Sequence, residues 1–294
     1  MSGAAAAPDA AAVIRAGSAS FALASRLLPP QTRHNVWLLY AWCRYCDDVT
    51  DGQTLGKTSA TGGRGANAVE HLRALTTAAI DGVTPLPEPF AGLSRVVAAT
   101  GLPRAYVLDH VHGFELDAAG YRCATLADTL TYCYHVAGAV GLMMAWIMGV
   151  REEETLLRGR DLGMAFQLTN IARDVDQDAV VGRVYLPTDW LEQAGVRIDG
   201  AQVLDVETRR RLVPVVMRLL DEADLYYASA KQGIAKLPAR AAWAIATAKH
   251  VYRDIGLEVR RRGAHAWDER VATSSQRKWR RVLQAMGETA WSRL

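Results

Sequence analysis

The chain has 294 residues, half of them apolar and 22% charged, with a mean hydropathy of −0.01, a composition that builds a buried core and excludes wholesale disorder. A net charge of +3 and a pI near 8.7 are too mild for a phosphate-backbone binder, which concentrates Lys and Arg on one face, so no nucleic-acid partner is expected. Cys43, Cys46, Cys123 and Cys133 are too few for a disulfide scaffold of this size.

From the N-terminus, Met1 to Ala12 is Ala-rich and has no Lys or Arg before an apolar stretch, so it does not read as a secretory signal. The expectation is a cytoplasmic chain with free thiols. No proline falls between Gln31 and Thr84, between Arg104 and Leu186, or after Pro238. An interior proline costs a helix about 3 kcal/mol, so long helices are predicted in those gaps. Val36, Leu39, Tyr40 and Cys43 recur at helical spacing, as do Leu126, Leu130 and Tyr134. Asp51 to Gly65, with five glycines, reads as a loop, and Thr84 to Pro89 as a Pro-rich connector. Tyr132 to Val150 is the most lipid-like stretch. Its uninterrupted run, Val136 to Val150, is 15 residues, short of the ~20 a spanning helix needs, so a buried core helix is expected. Gly182 to Pro187 ends a helix, and Arg240 to Ile255 is Ala-rich without strand alternation. No repeat and no composition shift divides the chain. The prediction is all-α: one helical bundle over residues 1–294.

Two acidic clusters carry chemistry. In Arg44-Tyr-Cys-Asp47-Asp48-Val-Thr-Asp51, Asp47 and Asp51 share a helix face about 6 Å apart along the axis. In Gln167-Leu-Thr-Asn170-Ile-Ala-Arg173-Asp174-Val-Asp-Gln-Asp178, steps of four align Asn170, Asp174 and Asp178, and Asp176 points elsewhere. Stacked carboxylates repel, and Asp is a poor helix former. Two such stripes imply a cation, and hard oxygen ligands suit Mg²⁺ shared with substrate phosphates. Arg44 and Arg173 beside them complete a cradle for a diphosphate leaving group. The Asp47, Asp48 and Asp51 cluster alone, at the edge of a Gly-rich loop, reads equally well as a solvated helix end.

Tyr40-Ala-Trp-Cys-Arg44…Asp47-Asp48-Val-Thr-Asp51, Tyr132-Cys-Tyr-His-Val-Ala-Gly-Ala-Val-Gly141 and Gln167-Leu-Thr-Asn-Ile-Ala-Arg-Asp-Val resemble the squalene/phytoene synthase family, most closely its bacterial phytoene-forming members. The likeness runs from Ser18 to Val271. It implies an all-α isoprenoid-synthase bundle around a central apolar cavity. It also implies head-to-head condensation of two geranylgeranyl diphosphates, through prephytoene diphosphate, to phytoene. By that resemblance Asp47, Asp48, Asp51, Asn170, Asp174 and Asp178 hold Mg²⁺ (Mn²⁺ as alternative), with Asp47, Asp51, Asp174 and Asp178 catalytic. Arg44, Arg173 and Arg270 grip diphosphate, with help from Tyr252. Ser20 and Phe21 line the site, Gln167 and Tyr185 sit in the pocket, and Tyr132 steers cation or proton transfer. Many members carry Lys where this chain has Ala19, and Glu-Asp where it has Gln177-Asp178.

The rival readings are a fifteen-carbon squalene or dehydrosqualene synthase and, in another class, a non-catalytic helical adaptor. NADPH is not expected. A di-iron bundle lacks its Glu-x-x-His pairs, Cys43-x-x-Cys46 lacks partners for zinc, and Gly52 to Thr58 is one residue short of a P-loop. His110 and His112 point about 200° apart on a helix and read as polar side chains on its solvent face; Asp117 matches an acidic position of the family. Ala137, Gly141 and Ala145 leave one helix face small, for close packing or for prenyl tails. Met143, Met144 and Met148 read as core filling. The Gly-rich loop reads either as a lid or as plain surface. A hydrophobic product implies peripheral contact with the inner membrane, assisted by Arg260-Arg-Arg262 and Arg277-Lys-Trp-Arg-Arg281, and a downstream desaturase as partner.

Overall fold

The computed structural model describes residues 10–51, 53–54, 57–58 and 66–291; the side chains of Ala19, Ser20, Asp51, Gln53, Thr54, Lys57, Thr58, Ala66 and Trp291 lie outside that description. The helices are α1 (Ala10–Gly17), α2 (Ala19–Ser25), α3 (Pro30–Asp51), α4 (Ala66–Ile80), α5 (Phe90–Thr100), α6 (Arg104–Ala118), α7 (Leu126–Cys133), α8 (Ala139–Ile147), α9 (Glu153–Val180), α10 (Thr188–Gln193), α11 (Val206–Lys236), α12 (Ala239–Arg262) and α13 (Ser275–Trp291). The predicted proline-free gaps hold α3 and α6 to α9. The one departure from all-helical structure among the described residues is a ribbon, β1 (Gln53–Thr54) against β2 (Lys57–Thr58), inside the Gly-rich loop. The rest of that loop lies outside the described residues.

α3 opens on Pro30, whose fixed φ suits a first helical turn. Its buried Val36, Leu39, Trp42 and Cys46 face α5 and α6, where Leu93, Val96, Val107 and Val111 close one half of the core. The other half forms between α9 and α11, which run antiparallel: Asp161 meets Ser229, and Thr169 meets Tyr227. Leu168, Ile171 and Val175 of α9 pack there with Leu212, Val216 and Leu219 of α11. Pro214 lies inside α11 on its exposed side.

The lipid-like segment is part of a longer run. Leu126–Ile147, 22 residues, is long and apolar enough to cross a membrane by length and composition; in the structure it forms α7, a π-helical turn at Tyr134–Gly138, and α8. It packs between α6 and α9. A capping box at Thr125 and Asp128 starts it. The small face packs closely on α9 and also borders a cavity. Gly141 and Ala137 lie against Gly159 and Gly163 of α9 so closely that a methyl on Gly141 or Gly163 would strike backbone carbonyl oxygen, and Ala137, Gly141 and Ala145 also line a cavity.

Candidate active site

Between α2, α3, α8, α9, α11 and α12 lies a cavity of about 580 Å³. Its wall is apolar over most of its length, through Leu39, Val136, Val140, Met144, Met148, Leu162, Ile234, Leu237 and Ile245. Met144 and Met148 therefore face the cavity, whereas Met143 alone fills the closed core. One end of the cavity is polar. There α3 presents Arg44 and Asp47, α9 presents Gln167, Asn170 and Arg173, α12 presents Tyr252, and the segment after α12 presents Arg270. Rings frame this end, Phe166 stacked on Tyr252 with centroids 4.2 Å apart and Phe21 tilted on Tyr40 at 5.6 Å.

The two acidic stripes meet their arginines here. Asp174 accepts from Arg173 Nε at 2.7 Å and from its Nη2, and from Arg270 Nε and Nη2 at 3.1 Å each. Burial works against its charge, yet these two guanidiniums outweigh burial and hold the carboxyl below the usual range. Asp178, one turn on, is in the opposite condition. Burial, then the neighbouring charges of Asp174 and Asp117, push it up to about 8 against the pull of Arg183 and Arg173. Arg44 Nη2 donates to Asp48 Oδ1 at 2.7 Å. Asp48 thus pairs with Arg44 while Asp47 lines the cavity; Asp48, Asp174 and Asp178 stand behind that lining. Ser20 and Asp51 lie in α2 and α3, their side chains outside the described residues.

Tyr132 and Tyr185 do not line the main cavity. They stack at 4.4 Å, and both donate to Asp117, at 3.1 and 3.0 Å. Asp117 in turn raises Asp178 electrostatically, so this cluster reaches the polar end through α9's last turns. His110, expected on a surface, is instead 2% exposed. It sits on the cavity wall, with ring contacts to Trp42 and Phe114 and Nδ1 3.3 Å from the His135 carbonyl oxygen. Burial depresses it to about 4, so it is neutral at physiological pH. The sequence clue to its burial is its place on the stripe Val107, Val111 and Phe114. Thr155, Arg158 and Lys278 also line the cavity, and nothing in their local sequence marks them.

The donor set fits a divalent cation shared with substrate. Among the described residues no three acidic, His or Cys side chains gather into a closed metal cage. Mg²⁺, however, takes only one or two carboxylates and completes its shell with phosphate and water. Asn170 Oδ1 is buried without a hydrogen-bond partner, and Asp178 carries an uncompensated proton-holding bias; a hard cation relieves both. The arginines fit a diphosphate equally well. Arg173 and Arg270 use Nε and Nη2 on Asp174, which leaves Nη1 of each for an anion, and Arg44 Nε is likewise buried without a partner among the described residues.

Known proteins resemble this chain in sequence and in fold. The 15-cis-phytoene synthase of Paracoccus sp. is 49% identical over 265 residues, spanning 90% of this chain and 86% of that protein. The phytoene synthase of Pseudescherichia vulneris is 47% identical over 274 residues, 92% of this chain and 88% of its own. Among solved structures, a dehydrosqualene synthase in complex with ligand superposes with a TM-score of 0.82 at 26% identity, covering 96% of this chain and 95% of that one. A squalene synthase from Alicyclobacillus acidocaldarius shares the fold at a TM-score of 0.72 and 23% identity, covering 86% of this chain and 92% of its own. The squalene/phytoene synthase family model matches residues 14–282, and the chain belongs to that family.

Proposed function

We infer that the protein is a phytoene synthase, a prenyltransferase that joins two geranylgeranyl diphosphates head to head. One diphosphate and one proton are lost as two C–C bonds close a cyclopropane, giving the cyclopropylcarbinyl intermediate prephytoene diphosphate. The second is lost on rearrangement, and a proton then leaves carbon to give phytoene. The observation that carries this reading is a long apolar cavity closed at one end by three arginines and a set of hard oxygen donors.

Asp47, Asp51, Asn170, Asp174 and Asp178 would hold Mg²⁺, and Mn²⁺ meets the same donor chemistry. Bound there, the cation neutralises diphosphate oxygens as charge develops on them. The chain's own groups do the rest. Arg44, Arg173 and Arg270 orient the diphosphates, and Asp48 and Asp174 hold those guanidiniums in place. Gln167 positions Asn170, whose Nδ2 lies 3.4 Å from Gln167 Oε1. Phe21, Phe166 and Tyr252 offer π faces to a carbocation and keep water from it. Tyr132 stays a neutral phenol, since burial, Tyr185 and Asp117 all raise it. Its role runs through Asp117 and Tyr185. No step draws on a reductant, so NADPH is not required. The hydrocarbon is a substrate for a desaturase, and the whole of residues 1–294 acts as one catalytic unit in the cytoplasm.

A fifteen-carbon reading is favoured by one observation only, the fold likeness to a dehydrosqualene synthase. Purified protein given geranylgeranyl or farnesyl diphosphate with Mg²⁺ and no NADPH separates the two. Phytoene from the twenty-carbon substrate is the expected product; turnover of farnesyl diphosphate alone removes the assignment. Asp47→Asn combined with Asp174→Asn should abolish turnover with helical circular dichroism intact, and unchanged turnover rejects both carboxylates as holders of the cation and the diphosphate.

A further inference from the structure

The stripe of α9 that lines the cavity starts at Thr155 and ends at Arg173. Among the described residues it carries one charge besides that of Arg173, on Arg158, fifteen residues earlier and roughly 22 Å back along the helix. The Arg158 side chain therefore stands at the tail end of the cavity, next to Gly159, which meets Ala145 of α8. It makes none of the contacts of the diphosphate end. An apolar wall needs no charge there, and a charge taken out of water is costly unless it is paired. The neighbours of Arg158 pair it and fix it. Nη1 donates to Ser229 Oγ at 2.9 Å and lies 3.9 Å from Asp161 Oδ2, while Nη2 lies 3.5 Å from Glu154 Oε1. Ser229 donates its own hydroxyl to Asp161. Nε is buried without a hydrogen-bond partner among the described residues, so the two terminal nitrogens hold the head. The stem is fixed as closely. A Cβ added to Gly233 of α11 would collide with Arg158 Cβ and stand 3.0 Å from its Cγ. Only the bare backbone of Gly233 lets that stem lie against α11, and Gly233 lines the cavity beside it.

We propose that Arg158 is the floor of the prenyl-tail site and sets the upper limit of substrate length at twenty carbons, with Ser229, Asp161 and Glu154 as the groups that position it. A tail one isoprene unit longer has to displace the Arg158 stem, and the stem cannot swing aside while its head is ion-paired on α9 and hydrogen-bonded to α11. A methionine in the same place yields by changing rotamer. The guanidinium gives way only by breaking its pairs and leaving Asp161 with one cation fewer. This limit presupposes the prenyl diphosphate reading of the cavity.

Calorimetry on the full chain with Mg²⁺ reads the Kd of two unreactive thiolodiphosphate analogues, of geranylgeranyl diphosphate (twenty carbons) and geranylfarnesyl diphosphate (twenty-five carbons). The wild type should bind the longer analogue at least about tenfold more weakly than the shorter. Arg158→Ala should shift that ratio at least about tenfold toward the longer one. Arg158→Met, which keeps a stem in the Gly233 notch without its pairs, should shift it in the same direction by less. Should the alanine variant fail to fold, the methionine variant carries the test. Wild type that binds both analogues equally overturns the floor and leaves the prenyl diphosphate reading standing, whereas wild type that binds neither removes both. An unchanged ratio in the variants, or equal weakening of both analogues, also overturns the proposal, since Arg158 would then only support the fold. A shift in the alanine variant with none in the methionine variant overturns the ion-paired floor, because bulk alone would be stopping the tail.

Discussion

Asp174 and Asp178 stand one turn apart on α9, and their carboxyls are held in opposite protonation states. Two arginines keep Asp174 ionised, while burial beside Asp174 and Asp117 makes Asp178 retain a proton to about pH 8. A carboxyl whose folded value lies above its unfolded one stabilises the fold fully at acid pH. That stabilisation is lost as pH rises toward the folded value. In chelator, the wild type should therefore lose melting temperature between about pH 5 and pH 8, and Asp178→Asn, which resembles the protonated acid, should lose less and gain stability at the alkaline end while its turnover disappears. Parallel melting curves for both proteins across that range would remove the assignment of Asp178 as an uncompensated buried acid. His110 provides the mirror case. Its folded value of about 4 lies below the unfolded one, so native stability falls as pH drops from about 6.5, by about 3 kcal/mol once both states are protonated. His110→Phe should flatten that acid limb in urea titrations, leaving the Trp42 and Phe114 contacts largely in place.

At the scale of elements, the path of the lipid-like segment follows from how near its backbone comes to α9. A Cβ at Gly141 or Gly163 has no room because the obstacle is backbone, which cannot rotate aside. Gly141→Ala should destabilise by about 1–3 kcal/mol. Gly287→Ala on α13, where the added methyl meets nothing, should stabilise by about 0.5–1 kcal/mol. Urea unfolding of the pair reads both, and equal shifts would mean the close helix contact does not exist. Such contacts mark the boundary of what the chain discloses in one dimension. The steps of four from Asn170 to Asp178 are legible because one helix brings those residues together. Proline-free gaps foretell α3 and α9 for the same reason. The pairing of Arg270 with Asp174, 96 residues away in the chain, is beyond local pattern, and family likeness alone points Arg270 to the diphosphate, because the contact depends on how α12 and the segment after it fold back on α9. His110 reads as surface in the sequence because a polar residue on a helix defaults to solvent; its place on the Val107, Val111 and Phe114 stripe points the other way, and Trp42 of α3 and the π turn close that side of α6.

For the whole molecule, the cavity's length along α9 sets which tails fit. Thr155 and Asn170 both line it and lie on the same helix, so at 1.5 Å per residue the wall extends roughly 22 Å from the diphosphate end. α8 runs antiparallel to α9, with Ala137 beside Gly163 and Gly141 beside Gly159. Met144 and Met148 therefore line the end far from Arg44, Arg173 and Arg270, where the terminal isoprene unit of a twenty-carbon tail would lie and that of a fifteen-carbon tail would not. Met144 is partly open to the cavity, so a larger ring there has space to occupy, and Met144→Trp should shorten the available length without touching Asp47, Arg173 or Asp174. The longer substrate then forfeits burial of several methylene-sized groups, each worth about 1 kcal/mol, while the shorter one keeps its contacts. The ratio of kcat/KM for geranylgeranyl over farnesyl diphosphate should fall by roughly ten- to a hundredfold, chiefly through loss on the longer substrate. An equal loss on both would mean that Met144 reports on folding or on the diphosphate end, and an unchanged ratio would place the determinant of length elsewhere on the wall.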